Sequence, residues 1–106
     1  MKPLKFEQKF VSEILDGRKA TTWRLFDDKN LQAGDELELV DRDSGSSFGK
    51  AIVTEVVEKL IKDLTSEELV EHGYENLDAM IRSHREYYGD RVNIESVVKM
   101  ITFKLI

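Results

Sequence analysis

The sequence predicts an α+β fold, a small and mostly antiparallel β-barrel flanked by helices. Stretches of helical and strand character follow one another in the order α-β-β-β-α-α-β. Hairpin-type turns separate the early strands, and too few residues lie between them for parallel crossovers. The 106 residues suit a single domain over 1–106 with one modest core.

Residues 7–16 put Phe10, Val11, Ile14 and Leu15 on one helical face. Gly17 follows, where a left-handed helix end belongs. Residues 20–25, rich in Thr, Trp and Leu, read as a strand, and Gly34-Asp35 marks a turn. Residues 36–42 alternate as a half-exposed strand, with Leu37 and Leu39 against Glu36 and Glu38. Asp43-Ser44-Gly45-Ser46-Ser47 has hairpin-turn composition. The strand over 48–59 carries the doubled pairs Ile52-Val53 and Val56-Val57, which suggest a β-bulge or cover on both faces.

Thr65 reads as a helix N-cap. Glu68 completes a capping box with it, and Leu64 and Leu69 stand at the staple positions. That helix runs to about Glu71 and stops at Gly73. A second starts from the cap Asn76, repeats Leu77, Met80, Ile81, His84 and Tyr88 at helical spacing, and ends at Gly89. The last strand, 97–105, sets Ile101, Phe103 and Leu105 against Thr102 and Lys104.

The formal net charge of −5 argues against a broad groove for nucleic-acid backbone. A local basic pocket stays open, because no acid separates Arg18, Lys19 and Arg24. Without cysteine there is no disulfide and no thiolate metal site. No segment reads as a signal peptide or a membrane span, so a cytoplasmic protein without a membrane partner is the simplest expectation. There is no Gly-rich phosphate loop and no zinc-like cluster, and His72 and His84 fall on different helices. No metal or cofactor is expected, and oligomeric state is not legible.

Several residues are candidates for chemistry. Lys19 serves as a base only if burial or the nearby Arg18 and Arg24 lower its pKa. Its bland reading is a solvated lysine at a helix C-terminus. Thr22 offers a hydroxyl as nucleophile or donor. Arg24 suits a carboxylate, a phosphate or a base edge, or else pairs with Asp27 or Asp28. Strand alternation turns Trp23 away from Thr22 and Arg24, so packing is favoured over base stacking, and Thr21 shares its face. His84, in an apolar stripe, reads as a partly buried core residue. His72 is a helix cap or a general acid or base. Glu67, Glu68, Glu71 and Glu75 form a solvated acidic face, from which Glu71 is singled out. Tyr74, Tyr87 and Tyr88 line a cleft or edge the core.

Gly17-Arg18-Lys19-Ala20-Thr21-Thr22-Trp23-Arg24, directly after a short amphipathic helix, resembles the signature of the ASCH domain. That family, a relative of the PUA RNA-binding domain, carries Gly-x-Lys-x-x-Thr-x-Arg at a helix-to-strand junction. Gly17, Lys19, Thr22 and Arg24 match it position by position, and Gly34-Asp35, Leu64-Thr65 and Tyr87-Tyr88-Gly89 resemble later landmarks. The resemblance implies a PUA-like β-barrel and a cleft that binds RNA or a modified nucleoside, with Gly17, Arg18, Arg24 and His72 as ligand contacts. Some small members remove the acetyl group of N4-acetylcytidine with the motif Lys, the motif Thr and a Glu on a later helix. This implies an amidohydrolase using Lys19, Thr22 and a helix carboxylate, with non-catalytic binding as the alternative. The family Glu position falls on His72; a one-residue shift selects Glu71, and Glu75 lies a turn further on.

Overall fold

The computed structural model describes residues 1–27 and 29–106. Five strands form one mixed sheet: β1 (Lys2–Phe6), β2 (Thr21–Leu25), β3 (Glu36–Asp41), β4 (Ser47–Leu60) and β5 (Val97–Leu105). They lie in the order β1-β3-β4-β5-β2, all pairs antiparallel except β1 with β3. The sheet curls into a half-barrel, so β1 and β2 are its free edges. Three helices complete the fold: α1 (Val11–Leu15), α2 (Ser66–Glu71) and α3 (Leu77–Tyr88).

The structure departs from the expected order α-β-β-β-α-α-β in two places. The chain opens with a strand, β1, in which Leu4 and Phe6 alternate with charged neighbours and are buried. Its partner β3 lies far along the chain, and Pro3 weakens a strand pattern that an edge strand tolerates. The helix expected over 7–16 splits into a 3₁₀ turn, Gln8–Phe10, and the five-residue α1.

Other elements form for the reasons visible in the sequence. Thr65 Oγ1 accepts from the Glu68 N–H at 3.1 Å, and Glu68 Oε1 accepts from the Thr65 N–H at 2.9 Å. The register of β4 against β5 shifts between Val53 and Glu55, so the doubled apolar pairs do mark a bulge. Asn76 Oδ1 accepts from the Ala79 N–H at 2.9 Å and opens α3.

Two clusters form the core. Leu4, Phe6, Ile14, Leu37, Leu39 and Phe103 make up the first, on one face of the sheet. Trp23, Leu25, Leu69, Met80, Val92 and Val98 pack the other face against α2 and α3. Along β5 the alternation sends Val98 to one core and Ile101 and Phe103 to the other.

The loop after β2 is tied by Asp27. Its carboxylate accepts from the N–H groups of Lys29 (2.9 Å) and Leu31 (3.0 Å) and from Lys99 Nζ (3.0 Å). The two paired side chains are only 8% and 12% exposed. Burial pushes the Asp27 carboxyl up, but the two N–H groups and the Lys99 ammonium outweigh it and leave its pKa below 3.8. A carboxylate with a depressed folded pKa stabilises the fold above its unfolded pKa, and that contribution is lost as pH falls through the folded value. Asp27→Ala is therefore expected to cost roughly 3–5 kcal/mol in urea unfolding at neutral pH, with the gap to wild type closing below about pH 4. A loss under about 1 kcal/mol, as for an exposed pair, would count against this role.

Candidate functional site

A cleft of about 390 Å³ opens at the seam where β1 and β2 fail to pair, a size that suits a small ligand. α1 delivers the first side chain. Gly17, at φ +85°, turns the chain out of α1, and the Lys19 N–H returns to the Glu13 carbonyl at 3.0 Å. The Lys19 ammonium then lies 4.8 Å from the centre of the Phe10 ring. Burial and, after it, the charge of Arg24 lower the Lys19 pKa from 10.5; Glu13 acts the other way.

β2 delivers the rest of the motif. Thr22 is buried, and its Oγ1 accepts from Arg24 Nε at 3.1 Å. Arg24 Nη2 donates to the Lys5 carbonyl at 2.8 Å, and the guanidinium covers the Phe6 ring at 4.8 Å. Arg24 thus bridges the two free edges. It does not take up the alternative pairing with Asp27, whose ion-pair partner is Lys99; Asp28 lies outside the described residues.

β2 pairs with β5 on one side only, and α3 serves its other edge. The Leu25 N–H donates to the Tyr88 hydroxyl at 3.4 Å. His84 is buried on α3, with its Nδ1 3.0 Å from the Met80 carbonyl. Burial lowers the His84 pKa, and the backbone of Met80 and Trp23 offsets only part of that.

Trp23 is buried in the core under α2 and α3, as strand alternation predicts. His72, the C-cap of α2, stacks on it with ring centres 4.2 Å apart and planes within 2°. Tyr74 leans on both rings. Burial, then the nearby charges of Lys19 and His84, push the His72 pKa down to about 4.

Lys19, Thr22, Arg24 and His72 therefore line one cleft, with Tyr74, Tyr87, Tyr88 and His84. Other candidates stand outside it. The exposed Arg18 pairs with Asp16 at 2.7 Å and does not line the cleft, and the charge that acts on Lys19 is that of Arg24. Gly17 shapes the turn and does not line the cleft. Glu71 is exposed and faces a separate hollow shared with Thr21, Glu55 and Glu68; the Trp23–His72 stack forms the wall between the two. Thr21, expected to pack with Trp23, is exposed. Glu75 lines neither hollow.

Sequence reasoning missed the cleft mouth. The Glu7 carboxylate accepts from the Tyr87 hydroxyl, from Arg42 Nη2 at 3.1 Å and lies 3.2 Å from Lys9 Nζ. The Tyr87 hydrogen bond is the main cause that lowers the Glu7 pKa. Burial, with the Glu7 contact, raises Tyr87 to about 12. Arg42 lies in the β3–β4 turn region, and no local pattern ties it to residues at either end of the chain. Among the described residues no three His, Asp or Glu side chains cluster as metal ligands.

A half-barrel with its cleft at a helix-to-strand motif is the ASCH-domain fold, and this chain has that fold. The ASCH domain from Lactobacillus crispatus superposes with a TM-score of 0.66 at 16% identity, over 90% of this chain and 69% of that one. ASCH from Zymomonas mobilis gives 0.63 at 14% identity, over 96% and 65%. The hypothetical protein PH0355 gives 0.71 at 22% identity over the full length of both chains. No protein-family model matches the sequence, and no curated protein matches it.

The His72 environment has a measurable consequence. The unfolded histidine binds its proton near 6.5 and the folded one near 4, so stability is full above about pH 6.5 and declines as pH falls toward 4. His72→Phe is expected to keep the stack on Trp23 and flatten that part of the stability profile. A proton NMR titration checks the cause directly; a His72 midpoint above 6 would refute it.

Proposed function

We propose that this ASCH-fold chain binds one base of a modified nucleoside or of RNA in the cleft between Lys19, Thr22, Arg24 and His72. The observation that carries this reading is the pairing of two kinds of surface in one small cleft. Lys19, Thr22 and Arg24 supply polar groups, and the His72, Tyr74 and Tyr87 rings supply flat apolar faces. Bases are held by that combination of edge hydrogen bonds and ring contacts. The net charge of −5 favours a small ligand or an RNA end over a long duplex. The Trp23 ring is not the stacking platform, because it is buried in the core with His72 over one face.

A second reading, hydrolysis of the amide of N4-acetylcytidine, rests on one specific feature. The Lys19 pKa is lowered, and Thr22, which accepts from Arg24 Nε, keeps its own hydroxyl proton for donation. That supplies a candidate base and a candidate nucleophile or donor. The helix carboxylate expected from Glu71 faces the other hollow, so proton delivery to the leaving amine would fall to another group, and binding without turnover is the reading favoured.

Titration with cytidine, N4-acetylcytidine and a short single-stranded RNA, followed by NMR, is expected to give saturable shifts at Thr22, Tyr74 and Tyr87. If none of the three shifts these signals, the binding reading fails. Prolonged incubation with N4-acetylcytidine is expected to release no cytidine above buffer. Release that disappears in Lys19→Ala would instead establish the hydrolytic reading.

A further inference from the structure

The charges around the cleft are unevenly matched. At its mouth, Arg42 and Lys9 share the Glu7 carboxylate. Deeper in, Lys19 and Arg24 have no such partner: among the described residues neither forms an ion pair with a carboxylate. Arg24 is held by neutral acceptors, the Thr22 hydroxyl and the Lys5 carbonyl, and Lys19 rests on the Phe10 ring. Two partly buried cations with no carboxylate in contact, Glu13 and Asp27 acting on them only from a distance, are costly for a folded chain. They become favourable when an anion arrives, because a desolvated ammonium and guanidinium attract it more strongly than exposed ones. In a chain of net charge −5 this concentration is local, and a neutral nucleoside leaves it unanswered.

Resting on the base-binding reading above, we infer that the natural ligand carries a phosphate monoester, seated between Lys19, Arg24 and the Thr22 hydroxyl. The base then lies toward His72 and Tyr74. Free nucleotides and RNA ends bearing a terminal phosphate share this chemistry. Glu7, engaged with Arg42, Lys9 and Tyr87 at the mouth, leaves the deep pair as the position where the anion gains most.

Calorimetric titration with cytidine, cytidine 5′-monophosphate, and a short RNA with and without a 5′-phosphate separates the possibilities. Each phosphorylated ligand is expected to bind at least about tenfold more tightly than its unphosphorylated counterpart, as two charge-assisted contacts imply. If only one of the two pairs shows this gain, that pair identifies the source of the phosphate. Lys19→Gln is expected to reduce the preference, read as the ratio of the affinities for phosphorylated and unphosphorylated cytidine in the same variant, to about threefold or less. Arg18→Gln, which removes a neighbouring charge outside the cleft, is expected to leave it intact. Arg24 also bridges β1 and β2, so Lys19 is the cleaner test. Equal affinity with and without phosphate, or a preference that survives Lys19→Gln, overturns this inference and leaves base binding standing. Failure of every ligand to bind overturns both.

Discussion

β2 is hydrogen-bonded to β5 on one side only, and a strand edge inside a folded chain needs partners for its remaining N–H and C=O groups. α3 covers part of that edge. Its Tyr88 hydroxyl accepts from the Leu25 N–H, and the Trp23 backbone raises the pKa of His84, one helical turn earlier. A sixth strand in that place would have closed the barrel and filled the space. A side chain of α3 meets part of that edge instead and leaves a cleft beside it, lined by Lys19, Thr22 and Arg24.

Arg24 is the second consequence of the open seam. It reaches from β2 to the Lys5 carbonyl on β1, lies over Phe6 and orients Thr22. One planar, multiply donating side chain therefore links the two edges and sets the polarity of the cleft, which an ammonium on a flexible stem would do less well. Its charge also contributes to the lowered pKa of Lys19. Structural and chemical roles meet in the same guanidinium.

Counted from Leu64-Thr65, the glutamate that the amidohydrolase resemblance implies falls on His72, or on Glu71 with a shift of one residue. Stacked on Trp23 and held neutral by burial and by Lys19, His72 presents a flat ring to the cleft. Glu71, one residue earlier on α2, points to the far side of that stack. Moving one position along a short helix rotates a side chain by about 100°, enough here to exchange a carboxylate for an aromatic wall.

Much of the architecture was legible because it is local. The capping box at Thr65 and Glu68, the Asn76 cap, the bulge near Thr54 and the inward alternation of β5 each arise from neighbours in sequence. The Gly17–Arg24 segment, too, announced Lys19, Thr22 and Arg24 as companions on one side of a turn. Tertiary structure decided what depends on distant partners. β1 forms only because β3 accepts it in parallel. Asp27 belongs to Lys99 rather than to Arg24. Glu7, Arg42 and Tyr87 meet at the cleft mouth from three separate parts of the chain. Adjacent in sequence, Arg18 and Lys19 diverge, one to solvent and one into the cleft. Periodicity and capping are encoded within a few residues, whereas burial, charge pairing and the direction of a cleft belong to the assembled sheet.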